Sequence, residues 1–96
     1  MLLAALAVPL TPPASAKPRL CANTYGGDFV QARGGLRCAK ARAVVRAWAA
    51  GYKSDGHTDR VALRFACSGR NDSVEGLVVN CHKGGRSVSF YANVPL

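Results

Sequence analysis

Between Cys38 and Tyr52 the apolar side chains recur at helical spacing: Cys38, Ala41, Val45, Trp48, Ala49 and Tyr52 share one arc at about 100° per residue, with Val44 at its edge. Alanines at 39, 41, 43, 47, 49 and 50 add helix propensity, and Gly51 followed by Lys53 suits a C-terminal turn. No Ser, Asp or Asn precedes Cys38, so this helix is expected to start without a strong N-cap. Elsewhere the period shortens to two. Residues 60–67 alternate, which predicts a half-buried strand with Val61, Leu63, Phe65 and Cys67 inward and Arg60, Ala62, Arg64 and Ala66 outward. Residues 74–81 and 86–93 are also strand-like, the latter with Val88, Phe90 and Ala92 on one side and Ser87, Ser89, Tyr91 and Asn93 on the other. His82-Lys83-Gly84-Gly85 reads as the hairpin connection between them. An earlier strand is predicted over 28–33, and its inward face stays open because Phe29 and Gln31 oppose Val30 and Ala32.

The intervening segments carry turn chemistry. Gly34-Gly35 closes the first strand, Asp55-Gly56 centres a polar loop over 53–59, and residues 68–73 read as a second loop. Residues 17–27 are polar and punctuated by glycines, with Cys21 as their only evident anchor. The order strand, helix, then three strands predicts an α+β fold: one helix packed on a small antiparallel sheet of three to four strands. Trp48 is the expected anchor of that contact.

Ahead of this domain, residues 1–10 form an apolar run, followed by Pro12-Pro13 and then Ala14-Ser15-Ala16, which fits the small-x-small cleavage pattern of a secretory leader. This predicts a signal peptide over 1–16 and a single secreted domain over 17–96, outside the cell or in its envelope. No Lys or Arg precedes residue 17, so the usual basic n-region is missing. The apolar run is also well short of the ~20 residues that a membrane span needs, and no transmembrane anchor is expected in the mature chain.

Export gives the cysteines a meaning. A domain of this size buries only about 60–65% of its unfolded surface and is marginal without cross-links. Four cysteines, Cys21, Cys38, Cys67 and Cys81, then read as two disulfides, each adding about 2–4 kcal/mol. Three pairings are open. No C-x-x-C occurs and His57 and His82 stand at no zinc-finger offset, so neither a metal nor another cofactor is indicated.

The segments Gly35-Leu36-Arg37-Cys38-Ala39-Lys40-Ala41-Arg42-Ala43-Val44-Val45-Arg46-Ala47-Trp48, Phe65-Ala66-Cys67, Val79-Asn80-Cys81 and Arg86-Ser87-Val88-Ser89-Phe90 together resemble small exported proteins of high-GC actinobacteria. That largely uncharacterised group repeats a Gly-x-x-Cys entering an Ala/Arg/Val-rich helix that ends in an aromatic, then aromatic-x-Cys, Val-x-Cys and a basic terminal strand. The resemblance covers about residues 28 to 91 and implies a disulfide-stapled envelope or extracellular domain. It brings no catalytic residue. The acid-containing segment 68–75 departs from the pattern.

Three functions are compatible with these residues. Thirteen Lys and Arg against five Asp and Glu give a net charge of +8, and Arg42, Arg46, Lys53, Arg60, Arg64, Lys83 and Arg86 are the candidate binding cations. Arg42, Arg46 and Lys53 flank the helical arc, Arg60 and Arg64 share a strand face, and Lys83 and Arg86 surround the last hairpin. If they merge, the chain is a binding module for a polyanion, a cell-envelope component or a protein. Scattered cations also keep a small domain soluble, so charge by itself names no ligand. The second function is a ribonuclease-like hydrolase using His57 and His82 with Glu75 and Lys83, the residue types of metal-free acid–base catalysis. Both histidines fall in predicted polar loops, where a solvated histidine needs no special role. A secreted protease inhibitor is the third, with 68–73 next to Cys67 as its reactive loop. No Gly-x-Ser-x-Gly or phosphate-loop context is present.

Overall fold

A computed structural model describes residues 17–72 and 76–94; the expected signal peptide and Glu75 lie outside them. The helix α1 spans Cys38–Asp55 and is joined by six strands: β1 (Arg19–Leu20), β2 (Gly27–Arg33), β3 (Arg60–Ala62), β4 (Phe65–Asp72), β5 (Gly76–Lys83) and β6 (Arg86–Ala92). They form one antiparallel sheet in the order β1-β2-β6-β5-β4-β3. The α+β reading holds. The sheet has six strands rather than three to four, for two physical reasons. Cys21, whose N–H donates to the Val30 carbonyl at 2.9 Å, draws the lead-in against β2 and creates β1. The expected continuous strand over 60–67 folds back on itself, giving β3 and β4.

That second difference also corrects the inward set. Ala62 pairs with Phe65, and the two residues between them, Leu63 and Arg64, adopt φ of 50° and 70°. Two successive left-handed residues make a type I′-like hairpin turn without the Asn or Gly that normally announces one. Ala62 consequently faces the core beside Phe65, while Val61 is 70% exposed and Leu63 44% exposed. Residues 68–72, expected as a loop, continue β4 in register with β5 from Ser68↔Asn80 to Asp72↔Gly76.

One face of the sheet carries the core. Val30 and Ala32 of β2, Val88 and Phe90 of β6, Val79 and Cys81 of β5, Phe65 and Cys67 of β4 and Ala62 of β3 are all buried. The buried stripe of α1, Ala41, Val44, Val45, Trp48 and Ala49, packs on this face. Trp48 is the centre, as expected. Its ring meets Phe90 edge-on at 5.4 Å between centroids and stacks with Tyr52 at 4.9 Å, and its Nε1–H donates to the Thr58 carbonyl at 3.0 Å. Gly26 and Gly27 let α1 approach closely, since a Cβ at Gly27 would come within 2.6 Å of Val45 Cγ1 and 2.7 Å of Phe90 Cδ2.

The helix starts at Arg37 without a side-chain cap and ends at Gly56, whose φ of 75° and N–H to the Tyr52 carbonyl, 2.7 Å, stop it. It therefore runs past Gly51, which lies inside it beneath the Arg60 guanidinium. The disulfides join neighbours in sequence, Cys21–Cys38 and Cys67–Cys81. The first ties the start of α1 to the end of β1. The second links residues directly opposite each other on β4 and β5. Loops of 17 and 14 residues closed in this way are each worth about 3 kcal/mol. Among the described residues, no helix is long and apolar enough to cross a membrane.

Gly34 is the tightest point of the chain reversal after β2. Its φ is +78°, and a Cβ there would overlap the Gly85 carbonyl oxygen and come within 2.8 Å of Arg86 Cα. Gly35 shares the left-handed φ but faces open space. Gly34→Ala is expected to destabilise the fold by about 3 kcal/mol or more and Gly35→Ala by about 1–2 kcal/mol. Urea denaturation of the two variants measures the difference.

Candidate functional site

Three chain reversals meet at one end of the sheet, and each carries cations. The β5–β6 turn, Gly84-Gly85, is flanked by Lys83 and Arg86, which are register partners. Next to it, the β2–α1 connection starts at Arg33, opposite Ser87, passes Gly34 against Gly85, and reaches Arg37 at the foot of the helix. On the other side lies the β3–β4 turn with Arg64. Lys83 Nζ sits 6.0 Å from the ring centre of Phe65, the residue that follows Arg64. All five cations are exposed. Among the described residues, none of the five forms an ion pair.

The described carboxylates are placed by other elements. Asp28 is opposite Tyr91 towards the far end of the β2–β6 pair, and its Oδ1 accepts from Asn93 Nδ2 at 2.7 Å. Asp59 accepts the Gly69 N–H at 3.2 Å, and Asp72 is placed by register with Gly76 at the far end of the β4–β5 hairpin. Asp55, in the last turn of α1, pairs with Arg60. Arg70, in register with Val78, is the strand cation of the far end, so charge is uneven along the strands and the three-turn end is the more positive. Such an arrangement focuses potential that the same number of scattered charges would not.

Of the seven cations singled out in the sequence, the structure brings Arg64, Lys83 and Arg86 together and adds Arg33 and Arg37. The expected pairing of Arg60 and Arg64 on one strand face is corrected, because the turn between them separates the two. Arg60 lies on the helix side, donating to the His57 carbonyl and held by Asp55. Arg46 donates to Thr24 Oγ1 at 3.1 Å, and Lys53 is exposed in the last turn of α1. Arg42 is half-buried, its Nε enclosed without a hydrogen-bond partner. Arg33 and Arg37 had a visible signal. Arg33-Gly34-Gly35-Leu36-Arg37 and Lys83-Gly84-Gly85-Arg86 are both glycine pairs bracketed by cations.

The histidines do not meet. His57 follows the helix in a loop tied to Trp48 through Thr58, whereas His82 is in register with Ala66 and Ser87 on the face of the sheet away from α1. The sheet lies between them. Segment 68–72 is paired strand, so the loop expected there for protease binding is absent over those residues. Among the described residues, no three His, Cys, Asp or Glu side chains gather where a metal ion would need them. No family model, curated protein or solved structure matches this chain.

Two expectations follow from these contacts. The Arg60 guanidinium, and after it the His57 backbone N–H, hold Asp55 below the ordinary carboxylate value of 3.8. A lowered folded-state pKa means that this contact stabilises the fold above the unfolded value and is lost as pH falls through the folded one. Asp55→Asn should thus show a shallower decline of Tm than the parent protein between about pH 5 and pH 2, read by thermal melts across that range. At the β3–β4 turn, left-handed Leu63 and Arg64 each carry about 1–2 kcal/mol of backbone strain. The double variant Leu63→Asn, Arg64→Gly relieves both, and after the added freedom of glycine in the unfolded chain offsets part of the gain it should raise stability by about 1–2 kcal/mol in urea melts.

Proposed function

We propose that this chain is an exported, disulfide-stapled binding module that takes up a polyanion at its three-turn end. The observation that carries the reading is the segregation of charge: Arg33, Arg37, Arg64, Lys83 and Arg86 share one end, and Asp28, Asp55 and Asp59 lie away from it. Export is supported by two disulfides, which persist in oxidising compartments, together with the leader-like residues 1–16. The same features support grouping the chain with the small exported actinobacterial proteins that it resembles.

Turns suit this work. A hairpin turn projects its flanking side chains past the end of the sheet, where water is the only competitor for an anion. Arg64 is held there by a strained turn, and strain of that kind clusters at functional positions. Attraction between exposed charges at this end falls off over a Debye length of ~8–10 Å at physiological ionic strength, so binding is steeply salt-dependent. The partner fitted by this chemistry is a linear polyanion of the cell envelope or its surroundings.

Polyphosphate is the simplest probe. The combined variant Arg64→Ser, Lys83→Ser, Arg86→Ser should bind it at least about tenfold more weakly at low salt and with a flatter salt dependence. Arg46→Ser with Lys53→Ser removes two cations from the helix and should leave binding within about twofold. Titration calorimetry on the oxidised full chain compares the two. Equal losses in both variants would refute a localised site.

A further inference from the structure

Among the described residues, no element covers the face of the sheet away from α1. Every described residue that register places there is exposed or half-buried, from Leu20 at one edge to Val61 at the other. Three rows cross it. The middle one runs Gln31, Ser89, Asn80, Ser68 over four adjacent strands. A row nearer the basic end runs Arg33, Ser87, His82, Ala66, and the far row runs Asp28, Tyr91, Val78, Arg70.

We propose that this face binds an anionic polysaccharide laid across the strands. The proposal rests on the polyanion reading of the adjoining end and names the class of polyanion. Amides and hydroxyls of the middle row offer donors and acceptors together, as a hydroxyl-rich chain requires. They recur at the strand spacing of about 4.8 Å, close to the length of one sugar ring along a chain. Arg33 on the row nearer the basic end and Arg70 on the far row supply charge for the acid groups, and Arg33 joins this face to the basic end. Asp28, the one described carboxylate placed on these rows, accepts from Asn93 Nδ2 at 2.7 Å at the opposite end of the far row from Arg70. Phe29 supplies the apolar contact. A bulge between Asp28 and Gln31 and a φ of 53° turn its ring outward, 65% exposed and edge-on to Tyr91 at 5.8 Å. An open ring of this kind suits the C–H face of a sugar.

Other occupants fit less well. The polar residues Gln31, Ser89, Asn80 and Ser68 of the middle row lie between Leu20 at one edge and the strands next to Val61 at the other, and separate both from Tyr91 and Val78. Among the described residues, no apolar patch therefore runs across the face for a second copy or a protein to bury. Single-stranded nucleic acid needs aromatic platforms for successive bases, and here the aromatics form one pair at one corner.

The test uses Asn80→Ala with Ser89→Ala in the oxidised full chain, probed with polygalacturonate, polyphosphate and oligothymidylate at equal charge concentration. Loss of two hydrogen-bonding groups should weaken polygalacturonate binding about tenfold and leave polyphosphate binding unchanged. Polygalacturonate binding that is absent, or unchanged in the variant, overturns the proposal. So does an equal loss for oligothymidylate, or a dimer in sedimentation that the variant disperses. Absence of polyphosphate binding by the parent, with polygalacturonate binding still sensitive to the variant, instead overturns the basic-end reading and upholds the sheet face.

Discussion

Everything in this molecule is arranged around one contact, the insertion of Trp48 between its own helix and a one-sided sheet. The indole touches Phe90 on the sheet, Tyr52 on the helix and, through its N–H, the carbonyl of Thr58 in the connection to β3. Removing a buried Trp of this kind typically costs about 3–5 kcal/mol, a large share of what a domain this small has. Among the described residues α1 is the only helix, and it covers only one face. The other face is open as a direct consequence of that economy.

The glycines and disulfides make the contact possible from opposite directions. Gly26 and Gly27 remove the side chains that would hold α1 away from β2 and β6. Cys21–Cys38 fixes where the helix begins, and Cys67–Cys81 staples β4 to β5, the two strands that lie between β6 and β3, against which α1 packs. With fifteen buried apolar residues among those described, the core is small, and covalent links supply rigidity that area cannot. A rigid frame then allows its turns to be spent on chemistry. Leu63 and Arg64 show this most clearly, since neither is a residue that relaxes a left-handed turn.

Function, on this account, belongs to the parts that the core does not use. The basic end is made of reversals whose backbone conformation is dictated by sheet geometry, and their flanking cations extend beyond it. The open face is made of the alternate residues of strands whose other halves are buried. Both surfaces follow from period-two alternation and from antiparallel connectivity, and they meet at Arg33.

Much of this was legible in the linear pattern. The helix, the inward side of β6, the anchoring role of Trp48 and the use of four cysteines as two bridges all follow from local periodicity and composition, because each depends on near neighbours in the chain. The split of 60–67 into two strands was not legible. Leu63-Arg64 has no turn chemistry, and its left-handed conformation is imposed by pairing with β5 and by burial of Ala62 and Phe65. The disulfide pairing and the inward face of β2 were equally out of reach, since register and a bulge decide which side chains meet. The seven cations were visible one by one, and Arg33 and Arg37 were missed, because a surface is assembled from residues distant in sequence. Local pattern sets what each segment prefers; only the closing of the sheet decides which segments become neighbours.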